Sequence, residues 1–197
     1  MSPLTHPPSR LAQDGWTESR HRAFATNDVP ARSVTAVADW VHAALRARVL
    51  GALEARHATG PFSFRDLFFV RYSHTAAASG VRGAQKGLEA HRDGSPISFN
   101  VLLNSADDFD GGGTFFEEDR DVGRDDAPDA QTALPPRTVR RIARGDCLVH
   151  SGKQRHGGVP VTRGERFLLV GFIDGDLRPD DDEPERGGAS SGRIAPD

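Results

Sequence analysis

Between Ser33 and His57 the apolar residues Val34, Val37, Val41, Leu45, Val49 and Leu53 recur three or four positions apart. That spacing places one apolar stripe along one side of a helix, so an amphipathic helix is expected over about 33–57 with Ser33 as its N-cap. Gly60-Pro61 ends it. Beyond that break the period shortens to that of strands. Asp66 to Tyr72 (DLFFVRY), 88–94, 96–104 (PISFNVLLN), 114–116, 138–143, 146–150, 158–161 and 166–173 (RFLLVGFI) are short, β-rich runs separated by turn residues. Two longer polar stretches, 73–87 and 117–137, read as loops. One helix followed by many short strands predicts a mainly β fold with a flanking helix, an antiparallel sandwich or jelly roll. Residues 1–30 lack periodicity and are expected to be irregular, 31–175 to form the domain, and 176–197, with almost nothing apolar, to be a disordered tail.

Composition narrows the class. A chain of 197 residues, 37% hydrophobic and 27% charged, supports one domain with its own core. Net charge is −3 and the pI is near 6.2, which does not suit a whole-domain binder of nucleic acid. Arg137, Arg140, Arg141 and Arg144 cluster locally, and a solvated face accounts for them. Cys147 is the single cysteine, so no internal disulfide can form. The first residues, MSPLTHPPSR, do not read as a secretory signal, and no stretch approaches the roughly 20 apolar residues of a membrane span. A cytoplasmic setting without membrane contact is therefore expected.

Candidate chemistry begins at His91-Arg92-Asp93. On a strand, positions i and i+2 share a face, so this imidazole and carboxylate can aim at one point. A His-x-Asp pair by itself also describes a surface ion pair. The case grows with its partners. His156, between a strand and a glycine pair, can supply a third ligand, and two His with one carboxylate leave three positions open on a metal, as in non-haem Fe(II) oxygenases. His150, six residues earlier, is a rival. The distance to Arg166, ten residues after His156 at the head of an apolar strand, favours His156. A hairpin between them would return the guanidinium to the metal, where its planar fork can pair with a carboxylate.

In chain order, HRDGSPISFNVLLN, DFDGGGTFF, GDCLVHSGKQRHGG and PVTRGERFLLVGFID resemble the catalytic domain of prolyl and lysyl hydroxylases, members of the Fe(II)/2-oxoglutarate-dependent dioxygenase superfamily. The likeness spans about residues 64–175. It is closer to the lysyl type through Gly111-Gly112-Gly113, the His150-to-His156 spacing and the arginine ten after the last His. It implies a double-stranded β-helix (jelly roll, cupin-like). It implies Fe(II) held by His91, Asp93 and His156, and 2-oxoglutarate held through Arg166 with Asn100, Tyr72 and Thr114 lining its pocket; Thr162 is a weaker candidate. It implies O2 as the second co-substrate, and it leaves room for ascorbate. No catalytic side chain beyond the metal centre is implied.

The reaction so implied is hydroxylation of a C–H bond, with succinate and CO2 released. The expected substrate is an amino-acid side chain, prolyl or lysyl in type, in a peptide or free. An oxygenase of another small molecule in specialised metabolism is the alternative. A non-enzymatic jelly-roll binding module would be expected to have lost a ligand or the arginine, and all four are present. Specificity is expected in the loops 73–87 and 117–137. The acidic start of the second, from Glu117 to Asp121 with Asp125 and Asp126, predicts a cationic substrate group.

Overall fold

The computed structural model describes residues 16, 20, 26–57, 61–78, 84–118, 136–175 and 191–192. The helical region is broken where one continuous helix is expected. A 3-10 turn at Ala31–Ser33 precedes an α-helix at Ala38–Leu45, a π-turn at Arg46–Leu50 and a second α-helix at Gly51–His57. Ser33 lies in the first turn, so it does not cap; Val37 holds the N-cap position without a side-chain hydrogen bond. The π-turn has a packing reason. It inserts one residue into the helical period, so that Val49 and Leu50, adjacent in sequence, are both buried, at 3% and 1% exposure.

The strands are β1 (Asp28–Pro30), β2 (Ser63–Ser73), β3 (Leu88–His91), β4 (Ile97–Leu102), β5 (Phe109–Gly111), β6 (Thr114–Glu117), β7 (Arg137–Arg140), β8 (Cys147–Ser151), β9 (His156–Gly158), β10 (Val161–Asp174) and β11 (Ser191–Gly192). They form two antiparallel sheets. The larger runs β1-β2-β10-β4-β8-β11, with β5 also paired to β10; the smaller runs β3-β9-β6-β7. This is the double-stranded β-helix.

Alternation along β2 and β10 divides the interior in two. Leu67, Phe69, Phe167, Leu169 and Ile173 pack with Val41, Leu45, Val49, Leu50 and Leu53 of the helical region, on the outer face of the larger sheet. Phe68, Val70, Tyr72 and Leu168 point the other way and pack with Leu102, Phe109 and Val161. Because β10 is covered on both faces, it reads as one apolar run and not as an alternation. At roughly 1.5–3 kcal/mol for each fully buried large apolar side chain, these two cores are the main source of stability.

Several boundaries move from their expected places. β3 ends at His91, so Asp93 lies just beyond the strand; its N–H donates to the carbonyl of Gly152 at 2.8 Å, which fixes the backbone there. The strand expected at 158–161 is β9, two residues earlier. In the stretch expected to be a loop, β2 continues to Ser73 and His74–Ala78 forms a short helix, with the Ala76 N–H donating to Ser73 Oγ. Within residues 1–30, Trp16 stacks on Phe167 at 6.3 Å, Arg20 pairs with Asp28 and Asp66, and β1 joins the sheet edge. Ser191 and Gly192 pair with Leu148 and Cys147. The remainder of the tail, and residues 119–135 of the second loop, lie outside the described residues.

Candidate metal centre and anion pocket

His91 and His156 meet because β3 and β9 are neighbours and pair these two residues directly. Their rings lie 4.5 Å apart, and the Asp93 carboxylate sits between them, with Oδ1 at 3.2 Å from His91 Nε2 and Oδ2 at 3.4 Å from His156 Nε2. One donor atom from each residue falls within 4.8 Å of the other two. The Nδ1 atoms are committed elsewhere: His91 to the carbonyl of Glu89 at 2.9 Å, His156 to that of Gln154 at 2.8 Å. A carbonyl can only accept, so both Nδ1 atoms carry the proton, and each neutral ring presents the lone pair of Nε2 to the centre. Ser98 Oγ donates to Asp93 Oδ2, and Ser95 Oγ lies 3.1 Å from Ser98 Oγ.

The electrostatics follow from this packing. Burial works against ionisation of Asp93, but hydrogen bonds from His156, His91 and Ser98 hold its carboxyl far below the usual carboxylate range. Burial pushes His91 down, and its bonds to Asp93 and the Glu89 carbonyl outweigh that, leaving it above the ordinary imidazole value. Two imidazole nitrogens and one carboxylate oxygen, converging with their tautomers preset, fit a divalent first-row metal.

His150, the rival ligand, is not part of this triad. Its ring lies 4.3 Å from that of His156 and 5.2 Å from Phe116, with Nδ1 on the Ser151 carbonyl at 3.0 Å. Burial, then the neighbouring His156, pushes it down to about 4, so it packs against the centre as a neutral ring.

A 310 Å³ cavity extends inward from the triad. Arg166 lines it and is 2% exposed. In register it faces Tyr72 on β2, with Cζ 5.9 Å from that ring. Burial lowers Arg166 to about 10, and burial raises Tyr72 to about 12. Arg166 Nη1 donates to the Gly113 carbonyl at 3.1 Å, and among the described residues no carboxylate pairs with the guanidinium. Asn100, 6% exposed on β4, carries a buried Oδ1 without a partner. Thr114 completes the same wall. A buried cation and two hydroxyls around one cavity fit a carboxylate-bearing ligand, and the orphaned Asn100 oxygen leaves an acceptor free for a donor on a bound molecule. Thr162 is exposed and outside this wall.

The glycine triplet explains how Arg166 is seated. Gly111, Gly112 and Gly113 have φ of 77°, 63° and 112°. A Cβ on Gly112 would come within 2.9 Å of the Phe109 ring and 3.2 Å of Arg166 Cδ. Gly112→Ala should therefore lose about 1–2 kcal/mol from the backbone alone, with more from the displaced arginine. Chemical denaturation measures the sum, and a stability equal to the parent would contradict this geometry.

Sequence reasoning missed other residues of the cavity: Thr26, Phe68, Leu88, Val170 and Phe172. Phe68, Val170 and Phe172 carry a signal, since they alternate in step with Tyr72 and Arg166. Thr26 carries none. The expectation about charge also changes. Glu117 is 5% exposed; Arg137 donates to its Oε1 at 3.1 and 2.7 Å, and Arg155 donates to Oε2 at 2.6 Å. It is a satisfied acid inside the small sheet and cannot receive a cationic substrate group. Asp121, Asp125 and Asp126 lie outside the described residues.

No protein-family model matches the chain. A PKHD-type hydroxylase of Maricaulis maris is 33% identical over 77 residues, which is 39% of this chain and 28% of that protein. Rat procollagen-lysine,2-oxoglutarate 5-dioxygenase 1 is 30% identical over 93 residues, 46% of this chain and 11% of that protein. The relatives of this chain are 2-oxoglutarate-dependent oxygenases. The chain spans less than a third of the length of the curated relatives it matches. Among solved structures, the non-haem α-ketoglutarate-dependent epimerase SnoN from nogalamycin biosynthesis superposes with a TM-score of 0.57 at 17% identity, covering 94% of this chain and 77% of that one. AviO1 from Streptomyces viridochromogenes superposes with a TM-score of 0.54 at 18% identity, covering 87% and 80%. These two likenesses concern the fold. No helix among the described residues is long and apolar enough to cross a membrane.

Proposed function

We propose that this chain is an Fe(II)- and 2-oxoglutarate-dependent oxygenase that hydroxylates a C–H bond of an amino-acid side chain, in a peptide or as the free amino acid. The observation that carries this reading is one cavity shared by two devices. A His91–Asp93–His156 cluster would hold iron, and a buried Arg166 with no carboxylate partner among the described residues would take the co-substrate's distal carboxylate. Kinship with procollagen lysine hydroxylases supports it from the sequence side. Iron with 2-oxoglutarate and O2 supplies the oxidising chemistry when bound. The chain supplies the rest. Arg166 offers a planar fork of donors, oriented by Gly113 and the Tyr72 ring. Asn100 and Thr114 add polar groups to the wall of the same cavity. Phe68, Val70, Val170 and Phe172 make the remaining wall apolar, which excludes water and accepts the hydrocarbon part of a substrate.

The test is a panel of peptides and free amino acids incubated with the Fe(II)-loaded protein, 2-oxoglutarate and O2. The expected result is substrate-stimulated succinate together with a product one oxygen atom heavier. If no member of the panel stimulates succinate while another small-molecule class does, the amino-acid reading fails. If 2-oxoglutarate does not bind at all, the oxygenase reading fails with it.

A further inference from the structure

Arg166 lines two cavities. Behind it, away from the triad, lies a second one of 210 Å³, with Leu102, Phe109 and Ile142 as apolar walls and Arg141 beside Arg166. Neither His91, Asp93, His156, Tyr72 nor Asn100 borders it. Both guanidinium-bearing side chains rest on one residue of the glycine turn. The Gly113 carbonyl accepts from Arg166 at 3.1 Å, and the space where a Gly113 side chain would begin is 3.3 Å from Arg141 Cγ. Two like-charged side chains therefore border one cavity, Arg166 almost wholly buried and Arg141 exposed, and neither has a carboxylate partner among the described residues. Among the described residues the one acid on this wall, Asp110, is already taken: Arg163 Nε donates to Oδ2 at 2.7 Å and Nη2 to Oδ1 at 3.1 Å. The neighbouring charge of Arg141 adds to burial in destabilising the Arg166 cation. An unneutralised pair against apolar walls attracts an anion more strongly than the same pair in water.

We propose that this rear cavity binds a small oxyanion, phosphate or a short carboxylate, between Arg141 and Arg166. The anion would neutralise the pair and share Arg166 with the front cavity. Occupancy of the rear cavity would then lower the pull of Arg166 on a carboxylate in front, and by reciprocity the front ligand would weaken the anion. This coupling rests on the co-substrate reading above; the anion site itself does not.

Calorimetric titration of inorganic phosphate, and separately of acetate, into the full metal-free chain tests the site. Saturable binding of at least one is expected, and the tighter of the two identifies the class. Arg141 is exposed, so Arg141→Ala should fold normally and weaken binding about tenfold. Arg141→Lys should recover part of it. Ala106→Phe, at the exposed edge of the cavity, should block binding by filling the space, while Tyr72→Phe in the front cavity should leave it intact. Absence of saturable binding of either anion overturns the proposal, as does binding that neither Arg141→Ala nor Ala106→Phe alters. With the metal present, saturating phosphate should raise the 2-oxoglutarate dissociation constant, and Arg141→Ala should abolish that effect. An unchanged constant would overturn the shared-arginine geometry. Phosphate binding without any 2-oxoglutarate binding would instead remove the functional reading and keep the anion site.

Discussion

Asp93→Ala is expected to lose metal binding by on the order of 100-fold or more and to abolish turnover, while the fold persists. Changes one shell away from a metal already cost about 10–100-fold, and Asp93 is the one carboxylate of the triad. The residue lies beyond β3 and contributes nothing to either apolar core, so the circular-dichroism spectrum should match the parent. Anaerobic titration with Fe(II) measures the affinity. His150→Ala is the control, since its ring meets that of His156 edge-on without joining the triad. Retained iron in Asp93→Ala, or lost iron in His150→Ala with His156→Ala unaffected, would overturn the assignment.

The same triad sets a pH dependence. A metal needs the neutral imidazole, and the pKa of His91 is raised, so protons should compete for it at higher pH than for an ordinary imidazole. Metal affinity should therefore fall steadily as pH drops through the imidazole range, beginning above the ordinary imidazole value. In the metal-free chain the two linked contributions have opposite signs. The raised His91 stabilises the fold below its unfolded value and stops doing so as pH rises through its folded value. The lowered Asp93 stabilises above the ordinary carboxylate range and loses this as pH falls through and below that range. Metal-free protein should accordingly be most stable in mild acid, between those windows. Thermal melts across pH with and without metal would show it; a stability maximum at alkaline pH without metal would contradict it.

Arg166→Ala is expected to weaken 2-oxoglutarate binding by about 3 kcal/mol or more, on the order of 100-fold, and to spare metal affinity. The guanidinium is 2% exposed, and its loss would leave the ligand's carboxylate in an apolar cavity with only Asn100, Tyr72 and Thr114 for company. Arg166→Lys should fall between, because charge survives and the planar fork does not. Calorimetry on the metal-loaded protein reads both, and an unchanged dissociation constant in the alanine variant would rule out the role. Since Arg166 is packed on Gly112 and Gly113, the melting temperature of each variant must be compared before the affinities are.

Much of this was legible in the chain. Helical spacing from Val34 to Leu53 marked the outer layer, short β-rich runs marked the sheets, and the His91, Asp93, His156 and Arg166 positions marked the residues that the fold draws to one cavity. Local periodicity and residue chemistry determine such features, because burial of an apolar face imposes period 3.6 or 2 wherever the element sits. What lay outside sequence reading depends on neighbours distant along the chain. The π-turn that buries both Val49 and Leu50 answers the shape of the sheet beneath it. The spacing to Arg166 already favoured His156 over His150, but the contact itself, His91 directly opposite His156, comes from the β3–β9 register, which leaves the His150 ring beside the triad and outside it. Glu117 looked like part of an acidic loop until Arg137, twenty residues on, and Arg155 closed over it. The second cavity exists because β10, the Gly111–Gly113 turn and Arg141 converge behind Arg166. A sequence specifies each of these groups singly; their distances, and hence which charge is paired and which is left for a ligand, arise only when the strands pair.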